Sequence, residues 1–244
     1  MGPFPDGVYR AQFPYYYRNP EGMPQEAALD YYLNSIKDVF EQCGPADSIA
    51  AIVVEPLQGE GGFIPAPIEW VKAVRKICDE NGILLVADEV QTGFCRTGRM
   101  FATQYWEEAG VQPDILATAK SIAAALKTIE IMERDDLAGR SCEIGEKVSK
   151  RFNEWKEKYP VIGDVRGLGG MIGLEFVKDQ ESKEPYPEFS AAVIKGCAQK
   201  GLMIEGAGTY GNVIRFLAPL VMTDEQLEAG LDIYESVIKE LLEK

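Results

Sequence analysis

Three side chains in this sequence stand where a partly buried charge can do chemistry. Asp88 directly follows five apolar residues, Ile83 to Ala87. A continuous apolar run of that length reads as a buried strand, and the carboxyl ends of such strands are where open α/β sheets bind ligands. A carboxylate withdrawn from water there needs a positive partner, either a side chain or a protonated ring nitrogen. Taken alone, it reads first as a helix cap or a loop carboxylate. Lys120 follows the shorter run Ile115 to Thr118 in the same way, with Ser121 beside it. A lysine sheltered at a strand end can act as an imine-forming nucleophile, although most lysines are simply solvated. Arg215 lies between Ile214 and Phe216 in an apolar stretch. A guanidinium so placed requires a carboxylate, from the protein or from a substrate, and structural ion pairing is the commonest case.

Composition narrows what these groups can do. The 244 residues include no histidine, and 25 Lys+Arg stand against 39 Asp+Glu for a formal charge of −14. Without histidine there is no Ser-His-Asp triad, no Cys-His pair and no HExxH zinc site, so acid–base work falls to Lys, Asp, Glu, Tyr or Cys. The acidic balance argues against a nucleic-acid partner, since no basic stripe exists to release counterions. Cys43, Cys78, Cys95, Cys142 and Cys197 are scattered, with no C-x-x-C pair. That suits reduced thiols in a cytoplasmic protein and argues against a disulfide scaffold or a metal site. The N-terminus has no signal-peptide pattern, and no run approaches a membrane span. Together the three charged residues suit an amino-acid-handling cofactor enzyme. Pyridoxal 5'-phosphate (PLP) needs a lysine imine, a carboxylate for its pyridinium nitrogen and a clamp for the substrate carboxylate, and the released lysine amine can move the proton.

The elements that must position these groups follow from periodicity. Residues 1–23 are rich in Pro, Gly and aromatics and read as an irregular segment laid over something else. A helix is predicted over about 24–42, with Ala28, Tyr32, Ile36, Val39 and Phe40 on one face, then a strand over 49–54 and the Gly-rich loop Gln58-Gly59-Glu60-Gly61-Gly62. Pro67 opens a second helix, carrying Ile68, Val71, Val74 and Ile77/Cys78 inward, that stops at Gly82. Strands at 83–87 and 115–118 complete an alternation typical of a parallel sheet in an α/β protein. Residues 127–158 read as one or two charged helices, with Ile144, Val148, Phe152 and Trp155 at helical spacing. The run Gly167 to Gly173 is not a dinucleotide fingerprint, and no Walker A motif occurs, which disfavours a nucleotide-binding module. A helix near 188–200, strands near 202–205 and 213–217 and a final helix capped by Thr223-Asp224-Glu225-Gln226 close the chain. A domain boundary is expected near 126.

Longer stretches resemble the class III (omega-type) aminotransferases of PLP fold type I. They are Val54-Glu55-Pro56-Leu57-Gln58-Gly59-Glu60-Gly61-Gly62, Leu85-Val86-Ala87-Asp88-Glu89-Val90-Gln91-Thr92-Gly93, Arg96-Thr97-Gly98 and Ala119-Lys120-Ser121-Ile122-Ala123. Gly163-Asp164-Val165-Arg166-Gly167-Leu168-Gly169 and Val213-Ile214-Arg215-Phe216-Leu217-Ala218-Pro219-Leu220 match that family's small domain. The segment from Val8 to Arg18 is most similar to the 4-aminobutyrate aminotransferase branch. The resemblance implies an incomplete fold type I large domain over 1–126, mostly parallel sheet with helices, and an interdomain helix with a C-terminal α+β small domain over 127–244. It implies Lys120 as the Schiff-base lysine and Asp88 as the partner of the pyridinium nitrogen, with Gln91 near the phenolic oxygen. Arg215 matches the arginine for the acceptor's carboxylate, Glu60 the carboxylate that pairs with it when an omega-amino substrate is bound, and Glu55 a substrate-pocket residue. A homodimer acting on amino-acid and 2-oxo-acid substrates is implied as well.

Two departures from the family pattern bear on that expectation. The family has a substantial part before the position of Met1, including the helix N-terminus that holds the cofactor phosphate. After Lys120 it continues Ser-Ile-Ala-Gly-Gly for some tens of residues, whereas here Ala123 runs into Ala124-Ala125-Leu126-Lys127. Losing that phosphate site and several charge-assisted hydrogen bonds, at roughly 1.5–3 kcal/mol each, weakens cofactor binding by several orders of magnitude. The expectation is therefore a PLP-dependent transaminase, with a catalytically inactive remnant of that family as the alternative.

Overall fold

The computed structural model of the chain describes residues 6–20, 22–119 and 122–243, with the backbone alone at 122–125. In chain order its main elements are α1 (Gln25–Gln42), β1 (Ala51–Val54), β2 (Leu57–Gln58), β3 (Ile64–Pro65), α2 (Ile68–Asn81), β4 (Leu84–Asp88), α3 (Gln104–Glu108) and β5 (Ile115–Ala117). There follow α4 (Ile122–Arg134), α5 (Leu137–Lys158), β6 (Ile162–Leu168), β7 (Met171–Phe176), α6 (Pro187–Gln199), β8 (Glu205–Ala207), β9 (Val213–Phe216) and α7 (Asp224–Leu242). They fall into two compact units. The first takes residues up to Val54, Ala66–Asp88 and Tyr105–Ala117; the second takes Glu55–Pro65, Glu89–Gln104 and the residues from Thr118 on. The boundary expected near 126 follows chain order, whereas these units follow contact. Glu55–Pro65 and Glu89–Gln104 belong with the C-terminal unit because main-chain bonds tie them there: Gly208 N–H donates to the Glu60 carbonyl at 2.9 Å and Gly170 N–H to the Arg96 carbonyl at 3.1 Å.

The first unit is built on a parallel sheet ordered β1-β4-β5, with Val54 beside Ala87 and Asp88 beside Ala117. Alternation along the strands sends Ile52, Val54, Leu85 and Ala87 to one face. There they pack with Ala28, Tyr32 and Ile36 of α1 and Trp70, Val71, Val74 and Cys78 of α2. Asp88 shares the other face with the exposed Val53 and Leu84. Pro67 precedes the first turn of α2 and Gly82 ends it in the left-handed region at φ +68°, as the sequence predicts. The aromatic segment before α1 lies over both helices: the Phe13 ring is 5.5 Å from Trp70, and Tyr32 donates its hydroxyl to the Tyr15 carbonyl at 3.2 Å.

The second unit carries an antiparallel sheet ordered β6-β7-β9-β8. The glycine run 167–173 makes the β6–β7 turn rather than a phosphate loop. Ile144, Val148, Phe152 and Trp155 of α5 meet Leu174, Phe176 and Ile214 of the sheet and Leu227, Leu231, Tyr234 and Ile238 of α7. The charged stretch 127–158 divides into α4 and α5, where Asp136 caps α5 by accepting from Gly139 N–H at 3.1 Å. The capping box at Thr223 forms, with bonds of 3.1 and 3.3 Å to Gln226. The strand expected near 202–205 lies instead at Glu205–Ala207, because the chain is still leaving α6 through Gly201, at φ +84°. Met203 is accordingly exposed rather than in the sheet.

Two carboxylates organise this unit. Glu89 is fully buried and accepts from the Thr92 hydroxyl at 2.5 Å, Ala102 N–H at 3.0 Å and Thr103 N–H at 2.7 Å, closing the 89–104 segment on itself. Glu235 of α7 gathers Lys158 at 3.0 Å, Tyr159 at 2.9 Å, Arg151 at 3.2 Å and Lys239 at 3.2 Å. Burial opposes the Glu235 charge, but those donors outweigh it and hold the carboxyl down at about 2. A depressed folded-state value stabilises the protein above the ordinary carboxyl range and is lost as pH falls from about 4.5 towards about 2. Glu235→Gln is expected to flatten that acid limb of stability against pH, measured by urea unfolding at several pH values. Glu89→Gln places an N–H donor against N–H donors and is expected to cost about 1–3 kcal/mol, seen as a lower urea midpoint at unchanged m-value.

Candidate functional site

Arg215 sits in the middle of β9, with Gly173 opposite it across β7 and Glu205 opposite it across β8. Its side chain is only 16% exposed, so the guanidinium must find its counter-charges in the protein. The first is local. Glu205 takes Arg215 Nη2 at 2.5 Å, a cross-strand pair set by the register itself. The second comes from far along the chain: Glu60, in the loop between β2 and β3, takes Nη1.

Several features bring Glu60 there. A Cβ at Gly173 would stand 3.1 Å from Phe63 Cβ and 3.2 Å from the Gly62 carbonyl, so the bare glycine is what lets the loop lie against β7. Arg166 donates Nε to the same Gly62 carbonyl at 2.9 Å, and its Nη1 binds Asp164 at 2.8 Å and Glu175 at 2.7 Å. Gly208 N–H holds the Glu60 carbonyl at 2.9 Å. Glu55 braces the start of the loop by accepting from Gly59 N–H at 2.9 Å. Gln91 then donates Nε2 to the Glu60 carboxylate at 3.2 Å. The Arg215 bond and then the Gln91 bond pull the Glu60 pKa below the carboxylate norm. Burial works against the Arg215 charge, but Glu205 and Glu60 outweigh it and raise its pKa. Two buried polar atoms, Gln91 Oε1 and Arg215 Nε, have no hydrogen-bond partner among the described residues.

The expected site residues therefore divide. Glu60, Gln91 and Arg215 come together in the second unit, with Glu55 just before the hairpin that carries Glu60. Asp88, half-buried, closes β4 in the first unit. Lys120 lies outside the described residues. Sequence reading missed Glu205, whose signal is its place one strand from Arg215, hidden because the strand was set three residues too early. It also missed Glu89, whose polar partners come from a loop with no periodic pattern. What the assembled groups can do is bind a carboxylate: a single cation, mostly shielded from water, is held by two carboxylates that are each 72% exposed.

The comparisons with known proteins agree with this reading of the fold. The Aminotransferase class-III family model matches residues 1–126 and 121–238. The probable 4-aminobutyrate aminotransferase of Bacillus subtilis is 38% identical over 274 aligned residues, covering 98% of this chain and 62% of the relative. A 5-aminovalerate aminotransferase of Pseudomonas putida is 39% identical over 276, covering 99% and 62%. Among solved structures, an amine transaminase from an uncultivated Pseudomonas species in its PLP-bound form superposes with a TM-score of 0.86 at 28% identity, covering 98% of this chain and 63% of that one. The chain thus spans about three-fifths of the length of the curated relatives it matches. Those alignments are longer than the 244 residues here, so the relatives carry residues inside the matched region that have no counterpart in this chain. A match running through almost every residue, at close to two-fifths identity, places this chain in the class III aminotransferase family.

Proposed function

We propose that the chain acts as a PLP-dependent aminotransferase. It moves an amino group from an omega-amino acid of the 4-aminobutyrate type to a 2-oxo acid such as 2-oxoglutarate, as a cytoplasmic homodimer. The observation that carries this reading is the Glu60–Arg215 ion pair with Gln91 attached to it. The two curated relatives are named for donors with a single carboxylate far from the amine, while 2-oxoglutarate brings two. An arginine covered by a movable carboxylate serves both: Glu60 neutralises Arg215 when the donor is bound, and gives way when the acceptor's second carboxylate arrives.

The described residues fit the cofactor. Asp88, half-buried at the carboxyl end of a parallel strand, is suited to keep a proton on a ring nitrogen. The buried, unfilled Oε1 of Gln91 offers a polar contact to the cofactor's edge. When bound, PLP supplies the electron sink that makes the amine-bearing carbon acidic. Lys120 would use Nζ to hold the cofactor covalently and, once released, to move the proton at that carbon. Glu55, Glu60 and Arg215 would line the substrate side, with Arg215 orienting the carboxylate.

A second reading, a non-catalytic relative that at most binds a partner, has its own observation. The two stretches matching the family meet at 121–126, immediately after Lys120, where the missing internal residues are expected. One labelling experiment separates the readings. The chain is mixed with PLP, reduced with borohydride and digested. The aminotransferase reading expects a pyridoxyl mass on the peptide containing Lys120 and none in Lys120→Ala. An unlabelled Lys120, or labelling unchanged in the variant, leaves the second reading. In protein that does turn over, Arg215→Ala is expected to raise KM for 2-oxoglutarate by about 10-fold or more, the worth of a lost charge-assisted pair, with a much smaller change for 4-aminobutyrate.

A further inference from the structure

A guanidinium has two edges that can grip a carboxylate with paired hydrogen bonds, one formed by both Nη atoms and one formed by Nε with Nη2. Nη2 serves both, with a different N–H on each edge. In this chain Nη2 of Arg215 is held by Glu205, whereas Glu60 holds Nη1, and Nε is buried without a partner among the described residues. The two carboxylates are also anchored differently. Glu205 stands directly opposite Arg215 in the β8–β9 register, as the first residue of the short edge strand β8. Glu60 comes from the Gly59–Gly62 loop.

We infer that Glu205 is a positioning residue that limits how tightly Arg215 can take an incoming carboxylate; this rests on the reading that Arg215 receives a substrate carboxylate. When Glu60 turns away it frees the N–H that it held on Nη1. Glu205 stays on one of the two N–H bonds of Nη2, and its charge leaves the guanidinium already neutralised. An arriving carboxylate then finds N–H donors but no net positive charge. A fully charge-assisted grip requires Glu205 to yield as well. Glu205 therefore biases the site against tight retention of a dicarboxylate and towards its release.

The test is calorimetric titration of the chain with glutarate, an unreactive dicarboxylate, at low ionic strength. Removing the competing charge in Glu205→Ala is expected to tighten binding about 10-fold, the margin of a charge-assisted over a neutral hydrogen bond, with Glu205→Gln tightening it less. Glu205→Asp, which keeps the charge, is expected to stay near the parent. The sign is diagnostic, since a residue serving only to support the strand would loosen binding when removed. Glutarate affinity unchanged or weaker in both Glu205→Ala and Glu205→Gln, with Arg215→Ala abolishing it, overturns the role of Glu205 and leaves the carboxylate site at Arg215 standing. Binding that survives Arg215→Ala, or none in any of these proteins, removes the carboxylate site itself and the inference with it. Glu205 is exposed, so neither substitution disturbs a core.

Discussion

The site depends on one constraint: a guanidinium that is mostly out of water, in the middle of an antiparallel sheet, has to be neutralised. Arg215 meets that need from both scales of the fold. One carboxylate is ten residues away and arrives through strand pairing; the other is 155 residues away and arrives through packing. The second requires more of the structure. Gly173 leaves room for the loop on the strand, Arg166 holds the Gly62 carbonyl, and the β8–β9 turn presents the Gly208 N–H to the Glu60 carbonyl. Each is a small local feature, and together they place one carboxylate over one cation.

The neighbouring Arg166 shows what a different exposure does to the same chemistry. Arg166 and its partner Glu175 are 10% and 1% exposed, so removing the arginine strands the buried Glu175 charge, at a typical cost of about 3–5 kcal/mol. Glu60 and Glu205 are each 72% exposed, where an ion pair is worth about 0–1 kcal/mol because water competes for the carboxylate. Arg166 is therefore a strut, and of the pairs on Arg215 the one from the Glu60 loop is placed to exchange. Exchange at low cost is what a carboxylate-binding site needs, since the resident group has to leave for the ligand to enter.

Much of this was legible in the residues. Helices α1, α2, α5 and α7 announce themselves by apolar spacing and caps, and Asp88 by the apolar run that it ends. Arg215 between Ile214 and Phe216 states its own need for a carboxylate. What local pattern does not carry is which carboxylate answers. Leu202, Met203 and Ile204 resemble a strand more than Glu205-Gly206-Ala207 does, yet the chain is still unwinding from α6 there. The Glu60 assignment came from resemblance, because no periodicity links residues 155 positions apart. The grouping of Glu55–Pro65 and Glu89–Gln104 with the C-terminal unit is likewise a matter of long-range hydrogen bonds that leave no mark in the local sequence.

The acidic composition ties these observations together. With 39 acidic residues to 25 basic ones, cations are the scarce partner, and arginines here hold more than one carboxylate. Arg75 pairs with Asp79 and Asp114, Arg140 with Glu143 and Asp224, and Arg151 with Glu228, Asp232 and Glu235. In such a protein an arginine is an anion site only to the extent that a resident carboxylate gives way, so selectivity turns on which resident is free to move. On Arg151 the partners all belong to one helix face and move together, if at all. On Arg215 they belong to a strand and to a glycine-rich loop, and those two elements differ in backbone freedom. The unequal anchoring of its two carboxylates, more than the arginine itself, is what separates this cation from Arg151.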